Sequence, residues 1–111
     1  YKAFFIFFEN FIFLILIRRK YMDTYLDKYG YLIGFFLGYL DILESNQDIL
    51  NYFQKNSDEI HICIDEIAKL LNDNLLDWEI FSEEANIYFQ SKTDFINFFN
   101  WLKAELIKIS L

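Results

Sequence analysis

Residues 25–40 read YLDKYGYLIGFFLGYL, and this stretch contains every glycine of the chain, at Gly30, Gly34 and Gly38. On a helix, residues four positions apart lie along one face, so the three glycines would form a shallow groove. Each glycine costs a helix up to about 1 kcal/mol relative to alanine. The spacing therefore predicts that another backbone approaches closely along Gly30, Gly34 and Gly38.

The apolar character of this stretch decides where its helix belongs. Residues 29–40 carry no charged side chain and number only 12, whereas a membrane-spanning helix needs about 20. Small residues four apart also drive helix pairing in membranes, but the short run fits a buried core helix better. The sequence predicts a glycine-containing helix over residues 23–44 at the centre of the fold.

Capping residues precede three further apolar stretches. Ser45 precedes the first, Ser57 the second, and either Ser91 or Thr93 the third. Their side chains can accept hydrogen bonds from the first backbone amides of a helix. In the second and third stretches the apolar residues recur at the i, i+3, i+4, i+7 spacing of one helix face. These stretches predict three helices in addition to the glycine helix.

The segment between the last two of these helices has a mixed pattern. Apolar and acidic residues alternate over 76–80, and residues 87–89 read Ile-Tyr-Phe, which favours strands. The pattern predicts a short β-hairpin over 76–91, and a helix capped by Ser82 is the alternative. The predicted fold is mainly α: a small bundle of about four helices around the helix at 23–44, with this hairpin before the C-terminal helix.

Residues 1–21 differ from the remainder of the chain and read like a translated upstream region. Arg18 and Arg19 written with AGG codons spell AGGAGG, a bacterial ribosome-binding sequence, and Lys20-Tyr21 gives a suitable spacer before Met22. The expectation is that residues 1–21 are a non-native leader and that 22–111 form a single small domain.

The same leader can instead be read as a short hydrophobic segment. Residues 3–17 are apolar except for Glu9 and Asn10, and three positive charges follow them. A segment of 15 residues with a carboxylate inside is a poor membrane anchor, and it lacks the order of a signal peptide. If it is translated and inserted, the positive charges place the following domain in the cytoplasm. The domain is therefore expected to be cytoplasmic on either reading.

Charge limits the classes of partner. The chain has a net charge of −7, and residues 22–111 hold 16 Asp and Glu against six Lys and Arg, a net of −10. Nucleic-acid binding requires clustered Lys and Arg to neutralise phosphates, so such an acidic domain is not expected to bind nucleic acid. An acidic surface instead favours a basic protein partner.

The sequence holds few residues suited to catalysis or metal binding. His61 and Cys63 are the only histidine and cysteine, and they supply at most two of the four ligands of a structural zinc site. No glycine-rich phosphate loop exists, because every glycine lies in the predicted helix. Adjacent acids such as Asp65 and Glu66 fall where solvated faces are expected. The sequence predicts a protein that is not an enzyme and has no cofactor or metal.

The densest group of acidic residues surrounds one tryptophan. An aromatic residue ringed by carboxylates is typical of a binding hot spot for a basic protein, including a toxin nuclease domain. The alternative interpretation is that the tryptophan belongs to the core and the acids only keep the protein in solution. The predicted partner-binding residues are Asp73, Asp77, Trp78, Glu79, Glu83 and Glu84.

The profile of residues 22–111 resembles that of bacterial immunity proteins, since the domain is small, acidic, rich in aromatics and without catalytic groups. The resemblance is one of profile and not of motif. It implies a protein that binds a cognate toxin and blocks its active surface. Two alternatives remain. One is a phage or plasmid inhibitor that mimics nucleic acid, and the other is a small membrane-associated protein with helices at 3–17 and 29–43. The oligomeric state is left open.

Overall fold

The computed structural model of the protein describes residues 4–5, 25–38 and 45–111. The predicted leader lies outside these residues apart from Phe4 and Phe5. The two ends of the predicted glycine helix, 23–24 and 39–44, also lie outside them.

Helices dominate the described residues. The α-helices are α1 (Tyr25–Lys28), α2 (Gly30–Gly38), α3 (Asn46–Lys55), α4 (Ile60–Leu71), α5 (Trp78–Ala85) and α6 (Lys92–Ser110), and a 3-10 turn at Ser57–Glu59 leads into α4. Strands β1 (Phe4–Phe5) and β2 (Ile87–Tyr88) pair antiparallel. Phe4 lies opposite Tyr88, and Phe5 lies opposite Ile87. The prediction of a mainly α, small helical bundle is confirmed.

The predicted glycine helix is interrupted at Tyr29, between α1 and α2. The Glu66 carboxylate of α4 accepts hydrogen bonds from the backbone N–H groups of Tyr31 and Leu32, each at 3.1 Å. In a continuous helix those two groups would donate to carbonyls four residues earlier. A side chain that enters this hydrogen-bond ladder is a known cause of helix breaks. Glu66 therefore accounts for the break and caps the start of α2.

Helix α2 lies at the centre of the bundle, as the sequence predicts. The Phe35 ring is 5.1 Å from the ring centroids of both Tyr52 and Phe53 on α3. The Phe36 ring is 6.2 Å from that of Phe99 on α6. The helix also packs against α4 and α5. Helix α2 thus packs against α3, α4, α5 and α6.

The glycines of α2 lie away from this core. A Cβ atom built on Gly30, Gly34 or Gly38 would meet no heavy atom of the described chain within 4 Å. Gly34 and Gly38 are exposed, because the buried face of α2 is formed by Leu32, Ile33, Phe35 and Phe36. The predicted approach of another backbone along the glycines is not found among the described residues.

Local capping signals fix two of the other helix starts. The Ser45 side chain accepts from the Asp48 amide, and the Asp48 carboxylate accepts from the Ser45 amide, which forms a capping box at α3. Ser91, and not Thr93, caps α6 by accepting from the Asp94 amide at 3.1 Å. Ser57 lies inside the 3-10 turn and is not an N-cap: the N-cap positions of the turn and of α4 are Asn56 and Glu59, and neither makes a side-chain capping hydrogen bond.

The predicted hairpin over 76–91 is wrong, because residues 78–85 form α5. The Asp77 carboxylate caps this helix by accepting from the amides of Glu79 and Ile80, at 3.1 and 3.2 Å. The alternative of a Ser82 cap is also wrong, since Ser82 lies inside α5 and its hydroxyl donates to the Trp78 carbonyl. The strand formers at 87–88 do form a strand, but its partner is β1.

Candidate functional site

The six predicted partner-binding residues divide by exposure. Asp77 and Glu79 are exposed, Glu83 is partly exposed, and Trp78 is half-buried. In contrast, the Asp73 side chain is only 9% exposed and Glu84 only 4%. The structure therefore places four of the six residues where a partner could reach them, whereas Glu84 is buried and the Asp73 side chain is largely covered.

Asp73 joins the loop after α4 to α1. Its carboxylate accepts from the Lys28 ammonium at 2.8 Å, from the Tyr29 hydroxyl at 2.7 Å and from the Leu75 amide at 3.1 Å. The hydrogen bonds from Lys28 and Tyr29 hold the pKa of the Asp73 carboxyl below its usual value. Burial and the bond to Asp73 raise the pKa of Tyr29. Asp73 thus stabilises the fold through its contacts with Lys28, Tyr29 and Leu75.

Two contacts position the start of α5. Asp77 supplies the cap, and its own backbone N–H donates to the Tyr25 hydroxyl at 2.8 Å. Trp78, the next residue, packs against Phe95 of α6 with 6.0 Å between the ring centroids. The cap fixes the backbone next to Trp78, and the contact with Phe95 fixes its ring. The half-buried indole therefore has a defined position.

Trp78 separates two surface cavities. The larger has a volume of about 250 Å³ and lies between the end of α4, the loop after it and the start of α6. The smaller has a volume of about 130 Å³ and lies between α5 and β2. Its lining residues are Trp78, Glu79, Ser82, Glu83, Ile87, Tyr88 and Phe89. We call the smaller cavity the α5–β2 groove.

The α5–β2 groove combines aromatic walls with carboxylates. Glu79 and Glu83 are four residues apart and therefore lie on one face of α5. Tyr88, 46% exposed, and Phe89 come from the segment after α5. Tyr88 and Phe89 belong to the strand-forming run at 87–89, but the sequence does not indicate that they join this site. Their position beside α5 depends on the turn at Asn86.

The turn that folds β2 back onto α5 centres on Asn86. This residue has φ 59° and ψ 43°, the left-handed conformation, and it ends α5. Asparagine tolerates this conformation better than most residues with a side chain. The left-handed turn brings Ile87, Tyr88 and Phe89 beside Trp78, Glu79 and Glu83, and so forms the groove.

The single histidine and the single cysteine of the sequence do not lie together. His61 is exposed, with its Nε2 3.3 Å from an Asp65 oxygen, whereas Cys63 is fully buried on another side of α4. Burial raises the pKa of the Cys63 thiol, which disfavours the reactive thiolate. Within residues 25–38 and 45–111, no three His, Cys, Asp or Glu side chains are placed to hold a metal ion.

A second polar cluster, also missed from sequence, lies at the other end of α4. The Glu59 carboxylate accepts from the hydroxyls of Tyr31 and Tyr52, each at 2.8 Å. Burial and the bond to Glu59 raise the pKa of Tyr31. These bonds tie α2 and α3 to the 3-10 turn, so the cluster is explained by the fold alone.

No family model, no curated protein and no solved structure matches this chain. Among the helices of the described residues, none combines the length and the apolar character needed to cross a membrane. The segment 3–17 of the membrane-associated alternative falls almost wholly outside those residues.

Proposed function

We propose that this chain is a cytoplasmic immunity protein, a small acidic inhibitor that neutralises a cognate bacterial toxin by binding it directly. The observation that carries the proposal is the surface formed by Asp77, Trp78, Glu79, Glu83 and Tyr88, which we call the Trp78 surface. It presents a positioned indole, a second exposed ring and several carboxylates on one side of the molecule.

The composition of the Trp78 surface favours a basic partner. Aromatic residues at the centre of an interface supply a large part of binding energy, and Trp and Tyr are over-represented among hot spots. Carboxylates around them steer a partner of opposite charge and speed its association. The net charge of −10 over residues 22–111 adds to that steering. A nuclease toxin, which carries positive charge to bind nucleic acid, has the required complementarity.

Inhibition in this proposal needs no chemistry from the chain. A bound acidic domain covers the basic surface with which the toxin would hold its substrate. The buried thiol of Cys63 and the exposed His61 take no part. Catalysis is thus not proposed for this protein.

The test begins with the gene next to that of the chain. The protein encoded there, which the proposal expects to contain a toxin domain, is produced in bacteria with and without the full chain, and growth is measured. We expect the toxin domain alone to arrest growth and the chain to restore it. Arrest that the chain does not relieve would contradict the proposed function.

The Trp78 surface is tested by association rates with the same toxin domain. Reversing two charges with Glu79→Lys and Glu83→Lys should slow association about tenfold at low salt, and much less at high salt. The matched control reverses two exposed acids elsewhere, with Asp58→Lys and Asp65→Lys, so that net charge changes equally. An equal slowing in both double variants would show that net charge, and not the Trp78 surface, directs binding.

Glu84 is not used for charge reversal, although it is among the predicted partner-binding residues. Glu84→Lys would place an ammonium at a position that is 4% exposed, and burial of an unpaired charge destabilises a fold by several kcal/mol. Loss of binding in that variant would report loss of the fold, so Glu79 takes the place of Glu84 in the test.

A further inference from the structure

The α5–β2 groove has the size of a pocket for one side chain of a partner. Its volume of about 130 Å³ far exceeds the roughly 10–15 Å³ that a single water molecule requires. Aromatic rings of Trp78, Tyr88 and Phe89 line it, and Glu79 stands at its acidic side. An apolar wall beside a carboxylate suits a side chain with a flat or aliphatic body and a positive end.

The electrostatics of the groove favour a cation. Among the described residues that line it, two are glutamates and none is lysine or arginine. Glu79 lies in the first turn of α5, where the positive partial charge of the helix N-terminus disfavours a cation, and the carboxylates of Asp77 and Glu79 offset that charge. The attraction of the groove for a cation therefore comes from its carboxylates and not from the helix dipole.

We propose that the α5–β2 groove binds an arginine side chain of the partner, with the guanidinium stacked on the aromatic wall and hydrogen-bonded to the Glu79 carboxylate. This inference rests on the proposed function, since it names the group by which a basic toxin would be held. Arginine fits better than lysine for two reasons. The guanidinium is planar and weakly hydrated, so it stacks on rings, and its paired N–H groups match the two oxygens of a carboxylate.

Asp77 takes a different part from Glu79. One oxygen of Asp77 already accepts two backbone N–H groups as the cap of α5. Glu79 is exposed in the first turn of α5 and contributes its amide, not its carboxylate, to that cap. Glu79 is therefore the carboxylate that can turn toward a guanidinium without loss of the cap.

The groove is tested in the full chain without any toxin, by titration with N-acetyl-arginine methylamide. The chain has two tryptophans, so its ¹H–¹⁵N spectrum shows two indole N–H signals, and Trp101→Phe identifies the signal of Trp78. We expect a saturable shift of the Trp78 signal and no saturable shift of the Trp101 signal. No saturable shift of the Trp78 signal would overturn the proposal.

Two matched ligands separate charge from shape. The citrulline derivative has nearly the shape of the arginine derivative but no charge, and it should bind at least about tenfold more weakly. The lysine derivative keeps the charge but lacks the plane, and it should bind at least about threefold more weakly. Equal binding of either one would overturn the assignment of arginine to the groove.

Two matched variants separate the groove from the overall charge. Glu79→Gln should weaken binding of the arginine derivative at least about fivefold. In contrast, Asp58→Asn, which removes one exposed charge in the 3-10 turn before α4, should change that binding less than about twofold. Equal effects would show attraction to the whole molecule and overturn the groove. Because no toxin is present, failure here leaves the growth test of the immunity function to be judged separately.

Discussion

At the scale of single residues, the Asp73 carboxylate accepts three hydrogen bonds and joins the loop after α4 to α1. Its sequence neighbours Asn72 and Asn74 suggest only a polar stop to a helix. This carboxylate stabilises the fold because Lys28 and Tyr29, which lie more than 40 residues earlier in the sequence, donate hydrogen bonds to it. A carboxylate thus serves the fold at Asp73 and lies at the surface at Glu79.

We predict that Asp73→Asn lowers the free energy of unfolding at pH 7 by about 1–3 kcal/mol, because hydrogen bonds to a charged group are weakened. The pKa of Asp73 is lowered in the folded state, so its contribution is present above the unfolded pKa and is lost as pH falls through the folded pKa. Urea unfolding between pH 7 and pH 3 should therefore show a smaller acid-induced loss in Asp73→Asn than in the unsubstituted chain. Asp58→Asn, at an exposed site, is the control. Parallel pH curves for all three proteins would contradict the prediction.

Gly34 gives a second prediction at this scale. The residue is exposed inside α2, its φ is negative, and a built Cβ meets no described atom within 4 Å. Gly34→Ala should therefore raise the free energy of unfolding by about 0.5–1 kcal/mol through helix propensity. Thermal or urea unfolding measures the change. A destabilised Gly34→Ala would show that another part of the molecule does pack along the glycine face, as the spacing of the glycines first indicated.

At the scale of elements, one helix determines where another begins. Glu66 projects from α4 and accepts hydrogen bonds from the amides of Tyr31 and Leu32 in the first turn of α2. The start of a helix leaves such amides without partners, and a carboxylate there also interacts favourably with the helix dipole. The bundle therefore holds α2 and α4 together by a polar contact as well as by the packing of apolar faces.

We predict that Glu66→Gln destabilises the protein by about 1–2 kcal/mol, because one of the two accepted bonds and the negative charge are lost. Urea unfolding measures the change. Glu105→Gln serves as the control. Among the described residues Glu105 pairs with Lys108 on its own helix, and its substitution should change stability by less than about 0.5 kcal/mol. Equal effects of the two substitutions would show that Glu66 is not a structural cap.

At the scale of the whole molecule, the protein has many more acidic side chains than take part in the described ion pairs. The described residues contain ion pairs at Lys28–Asp73 and Lys108–Glu105, and a histidine pair at His61–Asp65. With a net charge of −7, self-repulsion opposes compactness and attraction to basic molecules increases. Both effects weaken when salt shortens the range of electrostatic forces.

Added sodium chloride should therefore stabilise the free protein while it slows association with a basic partner. Urea unfolding at about 0.02 and 0.5 M salt measures the first effect. The variant with Glu79→Lys and Glu83→Lys moves the net charge from −7 to −3 and should show a smaller salt effect on stability. Salt that destabilises the unsubstituted chain would show that attraction between charges outweighs repulsion.

Local features of the sequence determined the helical class, the start of α3 at Ser45, the start of α6 at Ser91 and the acidic surroundings of Trp78. Caps and apolar periodicity depend on residues within a few positions of one another, so they can be read along the chain. The same local reasoning failed at residues 76–91, where alternation suggested strands. There the Asp77 cap and the burial of Phe81 and Ala85 on one helix face favour α5.

Only the tertiary structure decided which residues form the candidate site and where the central helix divides. Glu66 lies 35 residues from Tyr31 along the chain, and no local pattern reveals that its carboxylate reaches the start of α2. The difference between buried Glu84, partly covered Asp73 and exposed Glu79 likewise depends on how whole helices pack. Composition determines how many carboxylates the protein has, whereas contacts between distant segments determine which of them remain available to a partner.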